Sequence, residues 1–188
     1  IVVGDIDVDR TVAKIKEMFS DIKNPENPAP IVEEAVPDNA EPIIIVDKDK
    51  EEQTNTIEIM FKSESTPEAE KAYLPYVLED YVKSLASSMI NSRLQEEAQK
   101  ADAPFISAAC FAGNYIFAKT KDAFTFYAMP KDGKINEALA AVTREAMRAA
   151  KFGFTATEYE RAKADYMSSL EKMYTNRDKI DNDNFGRA

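Results

Sequence analysis

Apolar positions along the chain follow two different periods, broken by a polar, proline-rich stretch. Ile1, Val2 and Val3 open the sequence as a branched apolar run, which predicts a strand over 1–6. Behind it Val8, Val12, Ile15, Phe19 and Ile22 recur at three- and four-residue spacing. That spacing predicts a helix, with Asp7 placed to cap its first turn. A strand and one amphipathic helix are too small to bury their own apolar stripe. A bare strand at the first residue therefore reads as one element cut from a larger sheet, and the chain as a piece of a longer protein. From Asn24 to Pro42 stand five of the nine prolines, among many acids. Proline removes amide donors and biases the preceding residue away from helix, so residues 24–41 read as a semi-stiff linker.

A second unit is expected over 42–188, truncated at its C-terminal end. Ile43–Val46 reads as a strand, and Thr56–Phe61 alternates with Ile57, Ile59 and Phe61 on one face. "STPEAEK" offers Thr66 as cap and Pro67 at the first position of a long helix. Its apolar face runs through Leu74, Val77, Leu78, Tyr81, Val82, Leu85, Met89, Ile90 and Leu94. Pro75 inside that face kinks the helix or marks its true start. "PFISAACFAG" and "AFTFYAMPKDG" predict two further strands, with "NYIFAK" either extending the first or bulging from it. "KINEALAAVTREAMRAAKFG" predicts a helix ended by Gly153, and Thr155 with Glu158 forms a capping-box pattern opening another. Beyond Tyr174 the periodicity fades. The order is βα, linker, ββ-α-ββ-αα. It predicts an α+β fold, a mostly antiparallel sheet with helices packed on one face.

Composition narrows the chemistry. Twenty-four Lys and Arg against 34 Asp and Glu leave a net charge of −10, which disfavours nucleic acid as a partner because phosphates need a basic face. No apolar run reaches the ~18 residues that a membrane span requires. The single Cys110 excludes an intrachain disulfide and reads as a small buried hydrophobe. There is no histidine, which excludes His-based triads and HxxEH or HExxH zinc motifs within these 188 residues. No residue in the chain is assigned a catalytic or metal-ligating role.

Several stretches, taken in order, resemble the pitrilysin/insulinase family of zinc metallopeptidases. "IVVGDIDVDRTVAKIKEMFSDI" is similar to the closing strand and helix of one of that family's repeat units. The proline-rich linker and "PIIIVDKDKEEQTNTIEIMFK" resemble the start of the next unit. "SSMINSRLQEEAQKADAPFISAACF" resembles its helix-to-strand passage, and "KFGFTATEYERAKADYMSSLE" its late helix pair. The resemblance implies a parent built of α+β units that close like a clamshell around a peptide substrate. It also implies zinc held by an inverted HxxEH motif in a preceding catalytic unit. Zinc there would polarise the scissile carbonyl and acidify its bound water. On this reading 1–23 ends the catalytic unit and 42–188 is its non-catalytic companion. No cofactor belongs to this chain. The partner is the catalytic unit, in the same polypeptide or in another subunit. A bacterial periplasm or cell envelope is the expectation for the parent.

In family members whose last unit touches substrate, an arginine and a tyrosine lie a few residues apart. Here Arg93 is the weak substrate-binding candidate, and Phe105 stands where the tyrosine is expected, with no hydroxyl to donate. The bland reading of Arg93 is a helical ion pair with Glu96 or Glu97. Glu96 and Glu97 themselves read as a solvated face. "DKDKEE" lacks the glycine and the spacing of a calcium loop and reads as a charged turn. Phe111, Tyr115, Phe117, Phe124, Phe126 and Tyr127 read mostly as core, with outward members facing the chamber. Two other classes compete with the peptidase segment: a non-enzymatic scaffold like the core subunits of respiratory complexes, and an unrelated α+β interaction module.

Overall fold

The computed structural model describes residues 2–181. The chain divides into two compact units, one comprising residues up to Val32 with the chain from Met167 onward, the other Glu33–Tyr166. In the first, helix α1 (Val8–Phe19) begins where sequence predicts. Asp7 accepts from the Arg10 amide at 2.9 Å, satisfying one of the donors a helix start leaves free. None of its residues is buried: Val8, Val12, Ile15 and Phe19 keep 65, 42, 41 and 53% of their surface, and Ile22 just beyond the helix keeps 70%. The stripe is formed but uncovered. Residues 2–6, where a strand cut from another sheet is expected, pair with no strand among the described residues. A strand is held by a neighbour's N–H and C=O groups, and the described residues of the first unit include no second strand to provide them. Ile1 lies outside the described residues, as do residues 182–188; past Tyr174 the helix continues to Asn176 and a 3-10 turn follows over Arg177–Lys179.

The second unit is a three-stranded antiparallel sheet with helices. β1 (Ile57–Glu64) and β2 (Phe105–Asn114) flank a central β3 (Lys121–Pro130). Ile59 faces Phe126 and Cys110 faces Phe126 from the other side, so one face gathers Ile57, Ile59, Cys110, Phe124, Phe126 and Ala128. On it lie α2 (Leu74–Ala98) and α3 (Ile135–Phe152), contributing Ile90, Leu94, Ala138, Ala141 and Val142 to one core. α4 (Ala156–Asn176) starts in this unit and runs on into the first. Its capping box is made as read: Glu158 takes the Thr155 amide at 2.7 Å and returns its own amide to the Thr155 hydroxyl at 3.3 Å. Gly153, at φ 66°, closes α3 in a conformation that a side chain resists.

Three expectations are corrected. Ile43–Val46 pairs with no strand among the described residues, and its four side chains are 66–91% exposed. Alternation and branching describe a residue's fitness for a sheet, not the presence of a partner. Pro67 precedes only a short 3-10 turn (Glu68–Glu70), and the long helix starts at Leu74, with Pro75 in its first turn where no amide is needed. Of "NYIFAK", only Asn114 continues β2, as its last residue. The remainder, from Tyr115, is the turn to β3, with Ile116 at φ 54°.

The latter part of the proline-rich stretch is tied to the sheet's end. Thr120 donates to the Glu34 carbonyl at 2.9 Å and Lys62 to that of Pro37 at 2.6 Å. Lys121, only 5% exposed, reaches Asp38 at 2.8 Å and also pairs with Glu64. The Lys121 ammonium holds Asp38 below the ordinary carboxyl range, and the two carboxylates hold Lys121 above the ordinary lysine range. Limited proteolysis read by mass spectrometry should therefore cut first within residues 24–32 and spare 33–38. Lys121→Met should open 33–38 to cleavage, and wild-type cutting there at an equal rate refutes the tether.

Candidate functional site

Two places hold the residues that sequence singled out. The first surrounds Arg93, late on α2. Its side chain is 9% exposed and turned inward. Nε donates to Glu158 Oε1 at 2.5 Å, and Nη2 donates to Glu158 Oε2 at 2.9 Å and to the Gly153 carbonyl at 3.1 Å. The guanidinium carbon lies 4.8 Å from the centre of the Phe154 ring. A fork-to-fork pair of this kind fixes orientation as well as charge. Hydrogen bonding from Arg93 outweighs partial burial and brings the Glu158 carboxyl down to about 2. The expected pairing with Glu96 or Glu97 is corrected: the partner is on α4, 65 residues away. Glu97 instead binds Lys100 at 2.5 Å and Arg144 at 3.6 Å. Sequence signalled Glu158 as a cap only, and nothing in its spacing announced Arg93.

Phe105 has no exposed surface and is among the largest fully buried side chains. A tyrosine there would carry its hydroxyl into an apolar core. Cys110 is likewise buried, and burial pushes its thiol up to about 12, which leaves no thiolate at neutral pH. Asn91 of α2 grips that position from the side, donating to the Cys110 carbonyl at 3.0 Å and accepting its amide at 2.7 Å. These two bonds occupy β2 backbone groups that β3 does not use, a role sequence did not reveal.

The second place is the sheet face opposite α2 and α3. Strand alternation puts Glu58, Met60 and Lys62 of β1, Thr125 and Tyr127 of β3, and Ala109 and Phe111 of β2 on it. Thr125 is buried among its neighbours, while Phe111 keeps 52% of its surface. The aromatic set is thus split: Phe126 is core, Phe124, Tyr115 and Tyr127 are half-buried, and Phe111 and Phe117 are exposed. The expectation that the set is mostly core is corrected. With only three strands, the sheet's second face and the β2–β3 turn leave aromatics uncovered in this chain.

Zinc does not fit here. The chain has no imidazole, its one thiol is buried, and among the described residues no three His, Cys, Asp or Glu side chains converge. No described helix is long and apolar enough to cross a membrane.

Comparison with known proteins places this geometry in context. The family described as the Peptidase M16 inactive domain matches residues 1–166. No curated protein matches the chain. The first half of the periplasmic protease PqqL from Escherichia coli superposes with a TM-score of 0.69 at 23% identity, over 95% of this chain and 37% of that one. The structure of PqqL itself has a TM-score of 0.68 at 22% identity, over 95% of this chain and 19% of that one. A predicted insulinase family protease from Yersinia pestis has a TM-score of 0.71 at 17% identity, over 96% and 38%. The chain therefore spans well under half the length of these structures, and the likeness is one of fold.

Proposed function

This chain belongs to the family described as the Peptidase M16 inactive domain, and we propose that it is the non-catalytic segment of a zinc-dependent peptidase. In that reading residues 1–23 close the preceding catalytic unit, 24–41 link the two, and 42–188 form the companion unit. Zinc, its ligands and the water-activating glutamate belong to the catalytic unit, in the same polypeptide or in a partner subunit. The second sheet face, with Phe111, Thr125, Tyr127 and Lys62, lines a chamber for peptide substrate. Arg93 braces the wall from within. We propose the bacterial periplasm or cell envelope for the parent, a reading supported by the shared fold with a protease described as periplasmic.

The observation that carries the reading is α1, an amphipathic helix with its whole apolar stripe uncovered. Water-facing stripes of this width are found where another surface is due to cover them. Phe19→Glu should change this chain's stability by no more than about 0.5 kcal/mol, as a surface substitution does. In a longer chain carrying the preceding unit, the same change should cost about 2–5 kcal/mol, because a charge is then forced into a buried contact. Equal effects in the two backgrounds, read by urea unfolding, sink the assignment.

Activity supplies the second test. The purified 188-residue chain should hydrolyse no peptide and retain no stoichiometric zinc. A longer chain with an intact upstream HxxEH should hydrolyse peptide and retain zinc, and an eroded motif there turns the reading toward a scaffold.

A further inference from the structure

The two edges of the sheet are not alike. The outer edge of β2 is held at its middle by Asn91, which donates to the Cys110 carbonyl and accepts its amide. The outer edge of β1 is open: among the described residues its backbone bonds only to β3. Such an edge is a template for one more strand.

The chain carries a segment suited to that place and anchors it at both ends of β1. Upstream, Lys62 donates to the Pro37 carbonyl at 2.6 Å, and Lys121, paired with Glu64 at the end of β1, reaches Asp38 at 2.8 Å. Downstream, the chain enters β1 at Ile57. Residues 39–56 therefore lead from the end of β1 back to its start, antiparallel to it. Within them stand Ile43–Val46, with 66–91% of their side-chain surface in water, followed by the polar "DKDKEEQTNT". Setting Val46 opposite Ile57 makes that polar stretch the turn, and puts Ile44 opposite Ile59 and Ile45 opposite Glu58. Ile44 and Val46 then extend the core face beside Phe61, which keeps 51% of its surface. The same register brings Asn39 to Glu64, next to the Asp38 that Lys121 already holds. Pro42 falls at the mouth of the strand, where a missing N–H is tolerated.

We propose that Ile43–Val46 is a strap that closes on β1 as a fourth, antiparallel strand, and that the structure shows it open. Closing removes branched apolar surface from water and orders the backbone that carries it, two effects of opposite sign and similar size. With the strap closed and Asn91 in place, neither edge of the sheet is left to take an extended peptide or a second copy. The inference concerns the second unit alone, so it stands or falls separately from the peptidase reading.

Disulfide trapping in the 188-residue chain tests the register. Ile45→Cys/Glu58→Cys should close an intrachain bond under mild oxidation, because opposite positions lie within the ~4.4–6.8 Å that a disulfide spans. Ile45→Cys/Glu64→Cys, about 20 Å out of register, should stay reduced. Equal closure of the two pairs overturns the proposal. Amide exchange in the wild type measures how much of the chain is closed. The amides of 43–46 should exchange about tenfold more slowly than those of an unfolded chain. Unprotected amides overturn the strap, and so does protection that grows with protein concentration, which signals pairing between copies.

Discussion

Phe105→Ala should destabilise the second unit by about 3–5 kcal/mol, the range for removing a fully buried aromatic side chain. Phe105 has no exposed surface and sits in one cluster with Ile90, Leu94, Cys110, Phe126 and Val142. It starts β2, and its strand partner is Pro130 at the end of β3. Truncation would open a cavity where α2, the sheet and α3 meet, and neighbours packed at native density relax only partly into it. Phe105→Tyr tests the same environment from the other side. A hydroxyl placed there without a partner should cost about 1–3 kcal/mol. Chemical denaturation of the two variants measures both. A tyrosine that proves neutral would show that the site has polar access and that its resemblance to a substrate-contacting position has physical content.

The second large effect belongs to the ion pair. Glu158→Ala should cost about 3–5 kcal/mol, since it strands a buried guanidinium and also removes a helix cap. Replacing both partners, in Arg93→Met/Glu158→Met, should recover much of that loss, because no charge is then left buried and unpaired. The pH dependence has a definite sign. A carboxyl held down to about 2 in the folded chain, against an ordinary value of 4.5, binds its proton more readily when unfolded. Its contribution is fully present above about pH 4.5 and is lost as pH falls from there through about 2. Glu158→Gln should lack that segment, so the stability gap between wild type and variant should narrow on acidification. A gap that stays constant from neutral pH to pH 2.5 excludes the pair as its source.

Much of the secondary structure could be read from the residues. The stripe of α1, the capping box at Thr155 and Glu158, Gly153 at the end of α3 and the three paired strands all follow from spacing and local chemistry. Each is decided within a few residues, by a periodicity or by a donor three positions from its acceptor. Ile43–Val46 shows the limit. Its composition is that of a strand, yet no ladder forms, because pairing belongs to two segments and only one of them was judged.

The candidate site shows the same divide more sharply. That the chain has no zinc ligand set of the HxxEH kind, and no base for a cysteine nucleophile, was settled by counting side chains, since chemistry cannot use groups that are missing. Where Arg93 points was settled by folding, which brought Glu158 to it across 65 residues and left Glu96 and Glu97 to other partners. The same holds for Lys121 with Asp38, and for Asn91 with Cys110. Local pattern determines which element a segment becomes and which reactions lie beyond its reach. Which charge meets which, and which aromatic remains uncovered, depends on how those elements pack, because contact energies fall off over a few ångströms while the chain places the partners dozens of residues apart.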